Sequence, residues 1–101
     1  MSVRKSVIIA VACGAMLTAP TLFAGGASGR TIGITCNGCH GTDGVSKGAA
    51  PSLKGLPAEH IKTSMTMFKS GTRPSTIMGR IAKGYSDEDI AAMSDYFANL
   101  K

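Results

Sequence analysis

The stretch Cys36-Asn37-Gly38-Cys39-His40 sets two thiols three positions apart and an imidazole directly after the second. Positions three apart share a face of a helical turn, so both thiols can meet one object. Four chemistries use such a pair. A structural disulfide would close too small a loop to add much stability. A thioredoxin-like redox pair needs βαβ surroundings, and no segment here alternates like a strand. A zinc site needs four well-spaced ligands, and His60 is the only other histidine. There remains thioether attachment of a haem, for which C-x-x-C-H is the signature. The thiols add to two vinyl groups on one porphyrin edge, and the adjacent histidine ligates the iron.

That reading fits an exported chain, and the beginning of the sequence has the layout of one. Arg4 and Lys5 precede an apolar run from Ser6 to Leu17, and small residues follow Pro20. This is the layout of a secretory signal peptide, too short to span a membrane stably. The expected division is a cleaved signal at 1–24 and one domain at 25–101, with cleavage after Ala27 as the second choice. The mature chain then has no transmembrane anchor and is periplasmic. Ala10-Val11-Ala12 makes a poor lipoprotein box, so Cys13 leaves with the signal and Cys36 and Cys39 stay. Removing Arg4 and Lys5 leaves nine basic residues against six acidic ones. This mild excess, with no basic patch interleaved with aromatics, excludes a nucleic-acid partner. The mature domain has few large apolar side chains. A domain this small usually needs a disulfide, metal or cofactor to hold together, and a buried macrocycle would complete the core.

Downstream of the motif the pattern is helical throughout, and the fold class expected is all-α, three to four short helices wrapped around one haem. Arg30 to Asn37 is a weak short helix that delivers the cysteines, penalised by Gly33 and β-branched residues. Residues 41–51, with three glycines, read as a loop. Pro57 suits a first helical turn, Ile61, Met65 and Phe68 recur at i, i+4 and i+7, and Gly71 and Pro74 close that helix. Ser75 to Lys83 is a short helix or helical turn ended by Gly84. Ser86 caps the last helix, Asp87 to Asp89 meet its dipole, and Ile90, Met93, Phe97 and Leu100 form its buried stripe.

A haem-ligating histidine needs an acceptor for its other ring nitrogen. The backbone carbonyl of Pro51, eleven residues on, is the best candidate, with Leu53 packing on the haem face. The second axial ligand must come from Met65, Met67, Met78, Met93 or His60. Met65 and Met93 belong to apolar stripes, Met67 points away from Met65, and His60 sits among charged neighbours. Met78 follows a chain break and starts a short helix, so it is favoured, with Ile81 one turn on packing against the porphyrin. With His40 and Met78 both bound to iron, no position is left for substrate. No distal His and Arg pair suggests peroxide chemistry. Lys47, Lys54, Arg73, Arg80 and Lys83 are candidates for propionates or a partner, and Arg73 and Arg80 flank Met78.

Three stretches resemble class I cytochromes c of the short bacterial type: Cys36 to Gly44, Phe68 to Tyr85, and Ser86 to Ala98. The middle one is similar to the small monohaem cytochrome subunits of flavocytochrome c sulfide dehydrogenases. The resemblance implies one covalent haem c, Met78 as axial ligand, and single-electron transfer from a flavin-containing sulfide dehydrogenase subunit to a downstream acceptor. The alternative is a freely diffusing shuttle to a terminal oxidase or photosynthetic reaction centre. Only about eleven residues precede Cys36 after cleavage. The N-terminal helix of longer relatives is therefore expected to be nearly missing, which puts its packing on Tyr96 and Phe97 in question.

Overall fold

Ser28 accepts a hydrogen bond on its Oγ from the Thr31 amide (3.2 Å), which caps helix α1, Gly29–His40. The computed structural model describes residues 27–101; the signal expected at 1–24 lies outside the described residues. A 3-10 turn at Thr42–Gly44 follows, then α2 (Ala58–Ser70), α3 (Met78–Ala82) and α4 (Asp87–Ala98). Among the described residues there is no strand, as expected of an all-α domain.

The first helix corrects two expectations. It runs to His40 rather than ending at Asn37, and it packs on α4. The reason lies in its glycines. A Cβ on Gly29 would stand 2.1 Å from the Ala92 carbonyl oxygen, and one on Gly33 would stand 2.5 Å from the Tyr96 ring. Missing side chains let the two helices meet almost backbone to backbone. The propensity cost of a mid-helix glycine, about 1 kcal/mol, is outweighed by that contact. Tyr96 and Phe97, ring centroids 5.1 Å apart and edge to face, close the seam with Ile32. The packing on Tyr96 and Phe97 is thus retained with a helix of only three turns.

Helix α2 follows its sequence pattern. Ile61 and Met65 are buried, and Gly71 takes a left-handed φ of 78° as the cap. Helix α3 is shorter than Ser75–Lys83. The Ser75 hydroxyl accepts from the Gly79 amide (2.8 Å) and Ile77 sits at φ −133°, so the helix starts three residues late, at Met78. Helix α4 opens with a complete capping box: Ser86 Oγ accepts from the Asp89 amide, and Asp89 Oδ2 accepts from the Ser86 amide, both at 3.1 Å. Its buried face carries Ile90, Met93, Ser94 and Phe97, while Leu100 is only half-buried. Ser94 is accommodated there by donating to the Ile90 carbonyl (2.6 Å).

Candidate functional site

Because α1 leans on α4 and α2 on α3 and α4, the side between α1, the 41–57 loop, α2 and α3 is left hollow. The cavity there measures about 770 Å3, within the range of sites that bury a large organic ligand.

The residues expected from the sequence to attach, ligate or pack on the haem line this cavity: Cys36, Cys39 and His40 from α1, Pro51 and Leu53 from the loop, Met78 and Ile81 from α3. The cysteines are unbridged, Cys36 half-buried and Cys39 exposed. Burial pushes the Cys36 thiol up, a hydrogen bond with Thr35 opposes this, and neighbouring Cys39 adds to the rise. At neutral pH Cys36 is therefore a thiol.

His40 is 8% exposed, and its Nδ1 lies 2.6 Å from the Pro51 carbonyl oxygen. A carbonyl only accepts, so Nδ1 carries the proton and Nε2 keeps its lone pair. The loop holds that carbonyl in position. The Gly44 carbonyl accepts from the amides of Leu53 (2.8 Å) and Lys54 (3.2 Å), and the Gly55 amide donates to the Phe97 carbonyl (2.9 Å). Ring orientation and tautomer are thus set by a carbonyl eleven residues away, tied in turn to α4.

Of the candidate second ligands, Met67 does not line the cavity, whereas His60, Met65, Met78 and Met93 do. Met65 and Met93 are 6% and 2% exposed and belong to the packed core, which leaves their thioethers little freedom to turn. Met78 is half-buried in the first turn of α3. Of the basic residues that flank it, only Arg73 reaches the cavity; Arg80, Lys47, Lys54 and Lys83 do not line it.

The family described as Cytochrome c matches residues 26–101, three quarters of the sequence. The chain belongs to the cytochrome c family. As a cytochrome c it binds haem c covalently and transfers electrons. The residues present fit that group: two free thiols, an imidazole with a free Nε2 and a thioether share one largely apolar cavity. Among relatives, it is 49% identical over 72 residues to the cytochrome subunit of sulfide dehydrogenase of Chlorobaculum tepidum, covering 71% of this chain and 66% of that one. It is 38% identical over 69 residues to the thiosulfate dehydrogenase electron acceptor of Stutzerimonas stutzeri, 64% of this chain and 32% of that protein. It is 37% identical over 87 residues to cytochrome c-554(547) of Halothiobacillus neapolitanus, 74% and 96% of the two chains. The matched stretch thus spans just under two thirds of the first of these relatives and about a third of the second.

Several lining residues escaped the sequence reading: Thr35, Leu56, Phe68, Thr76, Ile77 and Tyr85. The Thr35 hydroxyl donates to the Ile32 carbonyl (2.6 Å), so the Tyr85 hydroxyl, 3.0 Å away, must be the donor to Thr35. This bond joins α1 beside Cys36 to the α3–α4 junction. Nothing in the spacing of residues fifty positions apart announces it. Ile77 and Ile81, 54% and 36% exposed, line the cavity too. An apolar pair at that exposure beside a cofactor cavity is surface an occupant would cover. Among the described residues no helix is long and apolar enough to cross a membrane.

Proposed function

We propose that this cytochrome c is exported to the periplasm by its signal at 1–24 and accepts single electrons from a flavin-containing sulfide dehydrogenase subunit. Cys36 and Cys39 would hold the haem by thioethers, and His40 and Met78 would ligate its iron. Haem c supplies a reversible one-electron couple between ferric and ferrous iron. The chain's own residues do the rest. Pro51 holds the proton on His40 Nδ1, so that Nε2 is always the ligating atom. Leu53, Ile81 and Phe68 exclude water, and low polarity around the site raises the electrostatic cost of the extra charge on the ferric state. With His40 and Met78 both ligating the iron, no open position would remain for a substrate, which suits electron transfer.

The 2.6 Å bond from His40 to Pro51 beside two free cavity thiols is the observation that carries the ligand assignment. The likeness to a sulfide dehydrogenase cytochrome subunit supports the partner. Ferric Met78→Ala is expected to lose its methionine-to-iron charge-transfer band and, once reduced, to bind carbon monoxide. An unchanged spectrum refutes Met78 as ligand. For the partner, purification of the native protein from its own periplasm is expected to yield a fixed-stoichiometry complex containing flavin. A chain that elutes alone overturns this in favour of the diffusing shuttle.

A further inference from the structure

The cavity wall is largely apolar, and Arg73 is the one permanently charged side chain in it. His60, Ser64 and Phe68 recur every fourth residue along α2 and all line it, as that spacing requires. Arg73, from the α2–α3 connection, folds back over this strip. Its guanidinium carbon lies 4.8 Å from the Phe68 ring centroid, and its Nη1 donates to Ser64 Oγ at 2.8 Å. Its backbone is held by a bond from the Arg73 amide to the Met67 carbonyl (3.2 Å). A fixed cation therefore borders an apolar cavity, while no Asp or Glu lines it. The single ion pair among the described residues is Lys69 to Asp87, so Arg73 has no carboxylate of the protein as partner.

We infer that the occupant supplies the missing anion: Arg73, braced by Phe68 and Ser64, pairs with a propionate carboxylate of the haem. Thioether attachment consumes the vinyl edge of the porphyrin, and the propionates are borne by the other two pyrroles. Arg73 belongs to a different element from the cysteines, as this division needs. Ser64 occupies one arm of the guanidinium fork, and further N–H donors remain for a carboxylate. Stacking on Phe68 orients the plane and reduces the side-chain entropy lost on pairing. Arg80 lies on the exposed surface outside the cavity, so it serves as a charge-matched control. The inference rests on haem occupying this cavity, which a covalent haem stain on a denaturing gel establishes separately for each variant.

The test compares Arg73→Gln, Arg73→Lys and Arg80→Gln, each as loaded protein. Removing the paired charge exposes the iron to an uncompensated carboxylate and favours the ferric state. In Arg73→Gln the reduction equilibrium is expected to shift about tenfold towards the oxidised form, which is 59 mV for one electron. The propionate should also titrate within the working range, so the midpoint potential becomes pH-dependent. The charged or titratable neighbours on the adjoining elements are Glu59, His60, Lys62 and Lys69 on α2 and Arg80 and Lys83 around α3. Of these only His60 lines the cavity, together with Tyr85 at the α3–α4 junction, so the pH profile is also recorded in His60→Gln and Tyr85→Phe backgrounds. Arg73→Lys should restore part of the shift, and Arg80→Gln should leave potential and profile nearly unchanged. Equal shifts for Arg73→Gln and Arg80→Gln overturn the pairing, as does no shift in either. If Arg73→Gln takes up no haem, nuclear Overhauser contacts between the Arg73 side chain and the propionate methylenes in the wild-type protein decide. Their presence supports the pair and their absence refutes it.

Discussion

The two sides of this small domain are built on opposite plans. Along the α1–α4 seam, Gly29 and Gly33 bring backbone and aromatic rings within reach of each other, and Ile32, Ile90, Met93 and Phe97 are all at most 3% exposed. Between α1, the loop, α2 and α3 the same chain encloses about 770 Å3 and leaves Ile77 and Ile81 partly bare. The seam closes on side chains of the protein, with Met93 reaching the cavity as well. The hollow side, in the function proposed above, is completed by the haem. Packing against backbone is intolerant of added atoms, whereas a cavity wall tolerates change until the occupant is lost. The two regions should therefore respond differently to substitution.

The strongest way to break this contrast is to withhold the haem. Chain expressed as Cys36→Ser/Cys39→Ser without haem attachment is expected to lose cooperative thermal unfolding by circular dichroism. A sharp transition in that chain would mean the seam carries the fold unaided. Next, Gly33→Val places a branched side chain where a Cβ alone stands 2.5 Å from the Tyr96 ring. Overpacking of this kind costs about 1–3 kcal/mol, so the loaded protein should melt roughly 10 °C lower. Haem content measured alongside should stay near wild type, since Gly33 does not line the cavity. A smaller loss is expected at the seam's end. Ser86→Ala removes the hydroxyl that caps α4 and should cost about 1 kcal/mol in chemical denaturation. The smallest effect belongs to the tie between the two sides. Lys69 Nζ and Asp87 Oδ1 are 3.2 Å apart, but Asp87 is 85% exposed. Asp87→Asn should lower stability by about 0.5 kcal/mol in low salt and less in high salt. A loss above 2 kcal/mol there would mean the two sides are coupled through this pair.

Much of this could be read without coordinates, for identifiable reasons. The spacing of Cys36, Cys39 and His40 is demanded by covalent chemistry. The α2 stripe of Ile61 and Met65, and the α4 start at Ser86 to Asp89, are local codes of period and cap, and both appear as expected. Pro51 was found because a ligating histidine must have an acceptor, and a short loop limits where that acceptor can be. The reading failed where glycine was judged by propensity. Gly33 counted against a helix, yet its lack of a side chain is what docks α1 on α4. It also failed at Ser75, whose hydroxyl caps the Gly79 amide and delays α3 to Met78. Arg73 and Arg80 looked alike beside Met78; only the fold-back onto Phe68 and Ser64 separates them.

The spacing of Cys36, Cys39 and His40 was enough to raise the expectation of haem c, and local helix signals were enough for an all-α chain, because both act over a few residues. Only the tertiary structure decided how long α1 is, which thioethers are committed to the core, and which cation faces the cavity. Those depend on contacts between residues far apart in the chain, such as Gly33 with Tyr96 and Thr35 with Tyr85, whose proximity no local pattern encodes.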